Sequence, residues 1–170
     1  MNRQWSCSLA VVILCTLVTR PLLAQTQKAD AELKGIALVG VVVEDLNPQA
    51  AACGLKQDAI ESAATKILGD SGLKVMRNSD NDTYVYLNVQ TSSIPSGLCV
   101  SRYDAYLYTH TMATLSYQAT PVLVQVSLIH EGGLAGGSAA GHGATIVRSL
   151  SEYVGQIAAR IRRANQSQAP

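Results

Sequence analysis

Gly35-Ile-Ala-Leu-Val-Gly-Val-Val-Val43 is the stretch that decides the fold. It is continuously apolar and rich in β-branched residues, the signature of a strand buried on both faces. Asn47-Pro48 ends it. A strand of this kind needs helices to cover it, and the next segment supplies one. Leu55, Ala59, Ile60, Ala63, Ile67 and Leu68 recur at the helical period, while Lys56, Asp58, Glu61 and Lys66 take the opposite side. Gly69 and Gly72 stop this helix.

Further along, Val75-Met76 resumes extended structure and residues 77–82 interrupt it. Val85, Leu87 and Val89 then alternate with Tyr84, Tyr86, Asn88 and Gln90, which marks a strand with one buried face. Residues 92–97 read as a turn, residues 100–115 as a second long strand, and residues 116–120 as another break. Val122, Val124, Val126 and Leu128 alternate again. The glycine-rich residues 132–143 carry too little side-chain bulk to pack and read as a loop. Beyond them Val147, Leu150, Val154, Ile157 and Ile161 define an amphipathic helix that starts near Thr145. The expected fold is therefore α+β, in the order β-α-β-β-β-α: a four-stranded mixed sheet with two helices packed on one face. The first crossover makes the strands it joins parallel. Alternating directions then send residues 47–54, 91–99 and 130–144 to one pole.

Ahead of this domain, Arg3, an apolar run over residues 9–18, the helix-breaking Pro21 and the small Ala24 stand in the order of a secretory leader. Cleavage is expected after Ala24, leaving no transmembrane anchor. The apolar run falls short of the roughly 20 residues that span a bilayer. Cys15 follows Leu14 rather than a small residue, which argues against lipid anchoring. The expected organisation is a signal peptide over 1–24, a polar lead over 25–34, one domain over 35–165 and a tail over 166–170.

Cleavage removes Arg3 and Arg20, so 13 basic residues become 11 against 12 acidic ones, a formal charge of −1. No excess of Lys and Arg recruits nucleic acid. Arg160, Arg162 and Arg163 cluster where a helix end favours cations. Of four cysteines, Cys7 and Cys15 leave with the leader, and Cys53 and Cys99 remain in an oxidising compartment. Both fall at the shared pole, so a Cys53–Cys99 bridge is expected. Two free buried thiols are the alternative if the strands they follow do not lie side by side.

Val41-Val-Val-Glu-Asp-Leu-Asn47, Tyr84-Val-Tyr-Leu-Asn-Val-Gln-Thr91, the tyrosine-rich strand after it and a glycine-rich segment leading into a terminal helix resemble a group of exported bacterial proteins of no established activity. The resemblance covers nearly all of the mature chain and implies a bacterial source and a periplasmic or secreted location. It assigns no residue a catalytic role. The Cys53–Cys99 pair and the long glycine segment depart from the group.

Four constellations bear on chemistry. His130, Glu131 and His142 form the one cluster of metal-ligand types, but their spacing matches no helical zinc motif, and ordinary exposed side chains at a strand end is the favoured reading. His110 and Asp104 on one strand lie about 20 Å apart at 3.3 Å per residue, too far to pair, and no Gly-x-Ser-x-Gly elbow is present. The glycine segment lacks the Gly-Lys-Ser/Thr ending of a phosphate loop. Tyr84, Tyr86, Tyr106 and Tyr108, in pairs two residues apart, fall on the sheet face opposite the helices, and exposed tyrosine favours binding. These readings lead to a non-enzymatic binding or envelope-assembly module without cofactor, its partner another envelope or secreted protein. The alternative is a small hydrolase or metal-dependent enzyme with its site at the glycine-rich end.

Overall fold

A computed structural model describes residues 30–77 and 81–166. The expected leader, residues 25–29 of the polar lead and residues 167–170 of the tail lie outside these. The apolar run forms β1 (Leu38–Val43). The other strands are β2 (Lys74–Arg77), β3 (Thr83–Ser93), β4 (Leu98–Ala113) and β5 (Val122–Ser138), in the sheet order β2-β1-β3-β4-β5. β1 runs parallel to β2 and β3, whereas β3–β4 and β4–β5 are antiparallel. The architecture is thus mixed α+β with five strands instead of the four expected. Val75-Met76 belongs to β2, a four-residue edge strand too short to declare itself without the β1 backbone beside it. Among the described residues, helices cover β1 on one face only. Val39 and Val41 are buried towards the helices, while Leu38 is exposed and Val42 half-buried.

Three helices stand where two were expected: α1 (Pro48–Ala52), α2 (Gln57–Asp70) and α3 (Ala139–Gln166). α1 forms because Pro48 suits the first helical position and the Asn47 side chain accepts a hydrogen bond from the Ala50 N–H at 2.9 Å. The Asn47 amide in turn donates to the Thr91 carbonyl at 2.8 Å, fastening this corner to β3.

The glycine-rich residues 132–143 are not a loop. Residues 132–138 continue β5, and residues 139–143 open α3, six residues before the expected start. Glycine suits this strand because the neighbouring strand fills the missing volume. A Cβ on Gly133 would come within 2.7 Å of the Tyr103 ring, and one on Gly132 would collide with the Asp104 carboxylate.

α2 and α3 pack on one sheet face. Ile60, Ala64 and Leu68 from α2, and Ile146, Leu150, Val154, Ile157 and Ile161 from α3, bury against Val39, Val41, Val85, Leu87, Ala105 and Leu107. The lower end of α3 is tied to the start of the domain. Arg160 pairs with Asp30 at 2.7 Å, Asn165 bonds Gly35 and Ile36, and Leu33 is fully buried. At the upper pole Cys53 and Cys99 form a disulfide, with Cα atoms 6.0 Å apart. Parallel pairing of β1 with β3 sets the two cysteine-bearing corners side by side. The Ala139 N–H donates to the Gly97 carbonyl at 3.2 Å beside them.

Candidate functional site

Alternate side chains of β3 and β4 point away from the helices, and the antiparallel register sets Tyr84 opposite Tyr108 and Tyr86 opposite Tyr106. The four tyrosines therefore share the face that no described helix covers. Their rings pack on one another: Tyr84 and Tyr108 lie 5.8 Å apart, Tyr86 and Tyr108 5.9 Å, and Tyr106 and Tyr108 4.9 Å with nearly parallel planes. His130 from β5 extends the row, parallel to Tyr106 at 4.2 Å, and His110 flanks Tyr84 at 5.8 Å. Tyr84 is only 9% exposed, and its hydroxyl accepts from Gln125 at 2.9 Å. Tyr86, Tyr106 and Tyr108 remain half-exposed. Three of the four can meet a partner, and the fourth supports them.

Two carboxylates anchor the row. Glu44, just beyond β1, accepts hydrogen bonds from the Tyr86 hydroxyl and the Asn88 amide. Burial first, and then this bond, push the Tyr86 phenol up to about 12. Burial likewise raises the Tyr108 phenol. Asp104 is buried at its root, accepts from Arg102 Nε at 3.0 Å and lies 3.0 Å from His130 Nε2. His110, six residues along the same strand, is not its partner. The neighbouring strand supplies one instead, through a β4–β5 register that is invisible in local sequence.

His130, Glu131 and His142 do not share a site. His130 projects from the middle of β5 on the open face, and Glu131 follows it onto the helix side. His142, expected as an exposed loop residue, is 2% exposed in the first turn of α3. Its Nε2 lies 2.7 Å from Ser101 Oγ, which lies 2.7 Å from Thr91 Oγ1, and both hydroxyl residues are buried. Burial lowers the His142 imidazole below its ordinary value. A serine beside a histidine is the start of an acyl-transfer dyad, but this pair is closed to substrate on every side and works as a polar clamp between β3, β4 and α3. Sequence reading missed it because its three members come from three elements. The one available signal was two polar residues, Thr91 and Ser101, on the core-facing alternation of their strands. Among the described residues no three His, Cys, Asp or Glu side chains converge on a metal-sized site, and no helix is long and apolar enough to cross a membrane.

No protein family and no curated protein matches the chain. Among solved structures it is similar to the PelC dodecamer from Paraburkholderia phytofirmans, at 14% identity over 75% of this chain and 87% of that one, with a TM-score of 0.38. It is also similar to a minor lipoprotein from Acinetobacter baumannii, at 10% identity over 75% and 94%, with a TM-score of 0.32. Neither likeness bears on activity.

Proposed function

We propose that this chain is an exported, non-enzymatic binding module whose contact surface is the open sheet face around Tyr86, Tyr106 and Tyr108, and that its partner is another envelope or secreted protein. The observation that carries this reading is the ring row itself. A face that no described helix covers, built of half-buried tyrosines and braced by Glu44 and Asp104, is a preorganised surface of the kind that hot spots use. The orientation of the rings favours a protein over a sugar. Parallel rings at 4.2 and 4.9 Å give their faces largely to one another, so a partner meets edges and hydroxyls, not a free ring on which a pyranose could stack. The Cys53–Cys99 bridge supports the exported part of the reading, because structural disulfides persist outside a reducing cytoplasm. The enzymatic alternative has less support, since the residues it requires do not share a site.

A photo-activated cross-linker placed at Tyr108 in the native host tests the proposal. The expected product is an adduct with one envelope or secreted protein, lost on Tyr86→Ala or Tyr106→Ala and absent when the probe sits at Arg162 on α3. Equal labelling from both probe positions would sink it.

A further inference from the structure

β5 is an edge strand, and among the described residues no strand pairs with its outer side. At 17 residues it offers an edge of about 56 Å. Folded proteins guard long edges with prolines, charges or a covering segment. Between Val122 and Ser138 there is no proline, and the ionisable residues are His130 and Glu131 alone. A bulge opposite Leu107/Tyr108 shifts the alternation of the strand. Leu123, Gln125 and Ser127 point to the open face before it, and His130, Gly132 and Leu134 after it. Leu123 and Leu134, which are 66% and 72% exposed, therefore stand on the same face on either side of the bulge.

We propose that β5 is a self-pairing edge, and that two copies of this chain join antiparallel along it into one continuous sheet. A two-fold axis perpendicular to the sheet keeps the open faces of both copies on one side, so open-face positions must meet open-face positions. Setting Leu123 against Leu134 of the second copy satisfies this along the strand. Gln125 then meets Gly132, Ser127 meets His130 and, on the helix side, Val126 meets Glu131. The bulge is what makes the pattern self-complementary. A slip of one residue in either direction would turn each leucine against the helix-side alternation. The same register keeps Glu131 away from its own copy, and each exposed leucine finds the other twice across the axis. In this register residues 122–135 of the two copies pair, an overlap of about 46 Å that, roughly 10 Å deep through its side chains, buries on the order of 900 Å² over both copies, the size of a weak, concentration-dependent interface. The joined sheet would also bring the two tyrosine faces onto one surface, although the pairing does not depend on what those faces bind.

Sedimentation velocity across a dilution series, combined with amide hydrogen exchange, tests the proposal on the exported protein. The expected result is a concentration-dependent dimer in which exchange over residues 122–135 slows by at least about tenfold relative to the dilute protein. Leu123→Lys/Leu134→Lys should abolish both the dimer and the slowing while leaving the circular dichroism spectrum unchanged, because both side chains are exposed in the single chain. Leu134→Gln should weaken the dimer in the same direction. A chain that stays monomeric at submillimolar concentration, a dimer with unslowed β5 amides, or a dimer that survives the double lysine variant would each overturn it. So would protection of β5 by an added extended peptide on a chain that remains monomeric, which would assign the edge to another partner.

Discussion

An imidazole enclosed in a protein gives up its water, and His142 recovers one hydrogen bond in exchange, between its Nε2 and Ser101 Oγ. Burial disfavours its charged form, so its folded value lies below the 6.5 of the free side chain. The sign for stability follows. Between the lowered folded value and 6.5 the unfolded chain binds the extra proton, so stability is full above pH 6.5 and is lost as pH falls through that window. Denaturant midpoints should therefore fall on acidification below 6.5, and His142→Gln should remove part of that dependence. A variant that retained the wild-type acid response would assign the effect elsewhere. At neutral pH Ser101→Ala leaves a buried ring nitrogen without its partner and is expected to cost about 1–3 kcal/mol, measured by urea unfolding.

Two of the three glycines in α3 should answer the same substitution with opposite signs. A Cβ on Gly143 would collide with the Gly54 backbone, where the helix docks against the corner carrying Cys53, whereas one on Gly155 meets nothing within 4 Å. Gly155→Ala is expected to stabilise by about 0.5–1 kcal/mol through helix propensity. Gly143→Ala should destabilise by about 1–3 kcal/mol, because backbone must shift to admit a methyl group. Equal effects at the two positions in chemical denaturation would show that α3 does not approach Gly54 closely. These glycines also mark where sequence stopped being legible. Leu150, Val154, Ile157 and Ile161 declared their helix by period, and Val85, Leu87 and Val89 their strand, because each of those patterns lies within one element. Residues 132–143 misled because the bulk that fills the strand belongs to Tyr103 and Asp104, some thirty positions away. β2 depended in the same way on a neighbour's hydrogen bonds. The tyrosine row was half readable: alternation put four rings on one face, but the burial of Tyr84 and the arrival of His130 came from the β4–β5 register. His142, with a glycine on either side, had no local mark of burial at all.

At the scale of the whole molecule, the upper pole is where α1, the β3–β4 turn and the start of α3 are fastened together, and the disulfide is its covalent member. Cys53 and Cys99 are 0% and 1% exposed, and their bridge closes a loop of 46 residues between the α1–α2 corner and the start of β4. In the chain-entropy account such a loop stabilises by up to about 4 kcal/mol, acting through the unfolded chain, which loses the freedom to separate those two points. Against a typical domain stability of about 5–15 kcal/mol, that is a large share. Non-covalent contacts hold the same pole. Asn47 holds Thr91, Ala139 holds Gly97, and the Thr91–Ser101–His142 clamp spans β3, β4 and α3. Cys53→Ala/Cys99→Ala is therefore expected to keep the native circular dichroism spectrum and to lose about 2–4 kcal/mol in urea unfolding, with reduction of the wild type giving a loss of similar size. If the double variant instead lost its native spectrum in the absence of denaturant, the pole would be held by the bridge and not by the hydrogen bonds around it. If stability were unchanged, loop closure would contribute nothing here. A loss confined to the midpoint, with the spectrum intact, is the outcome that fits a bridge laid across corners already brought together by the parallel pairing of β1 and β3.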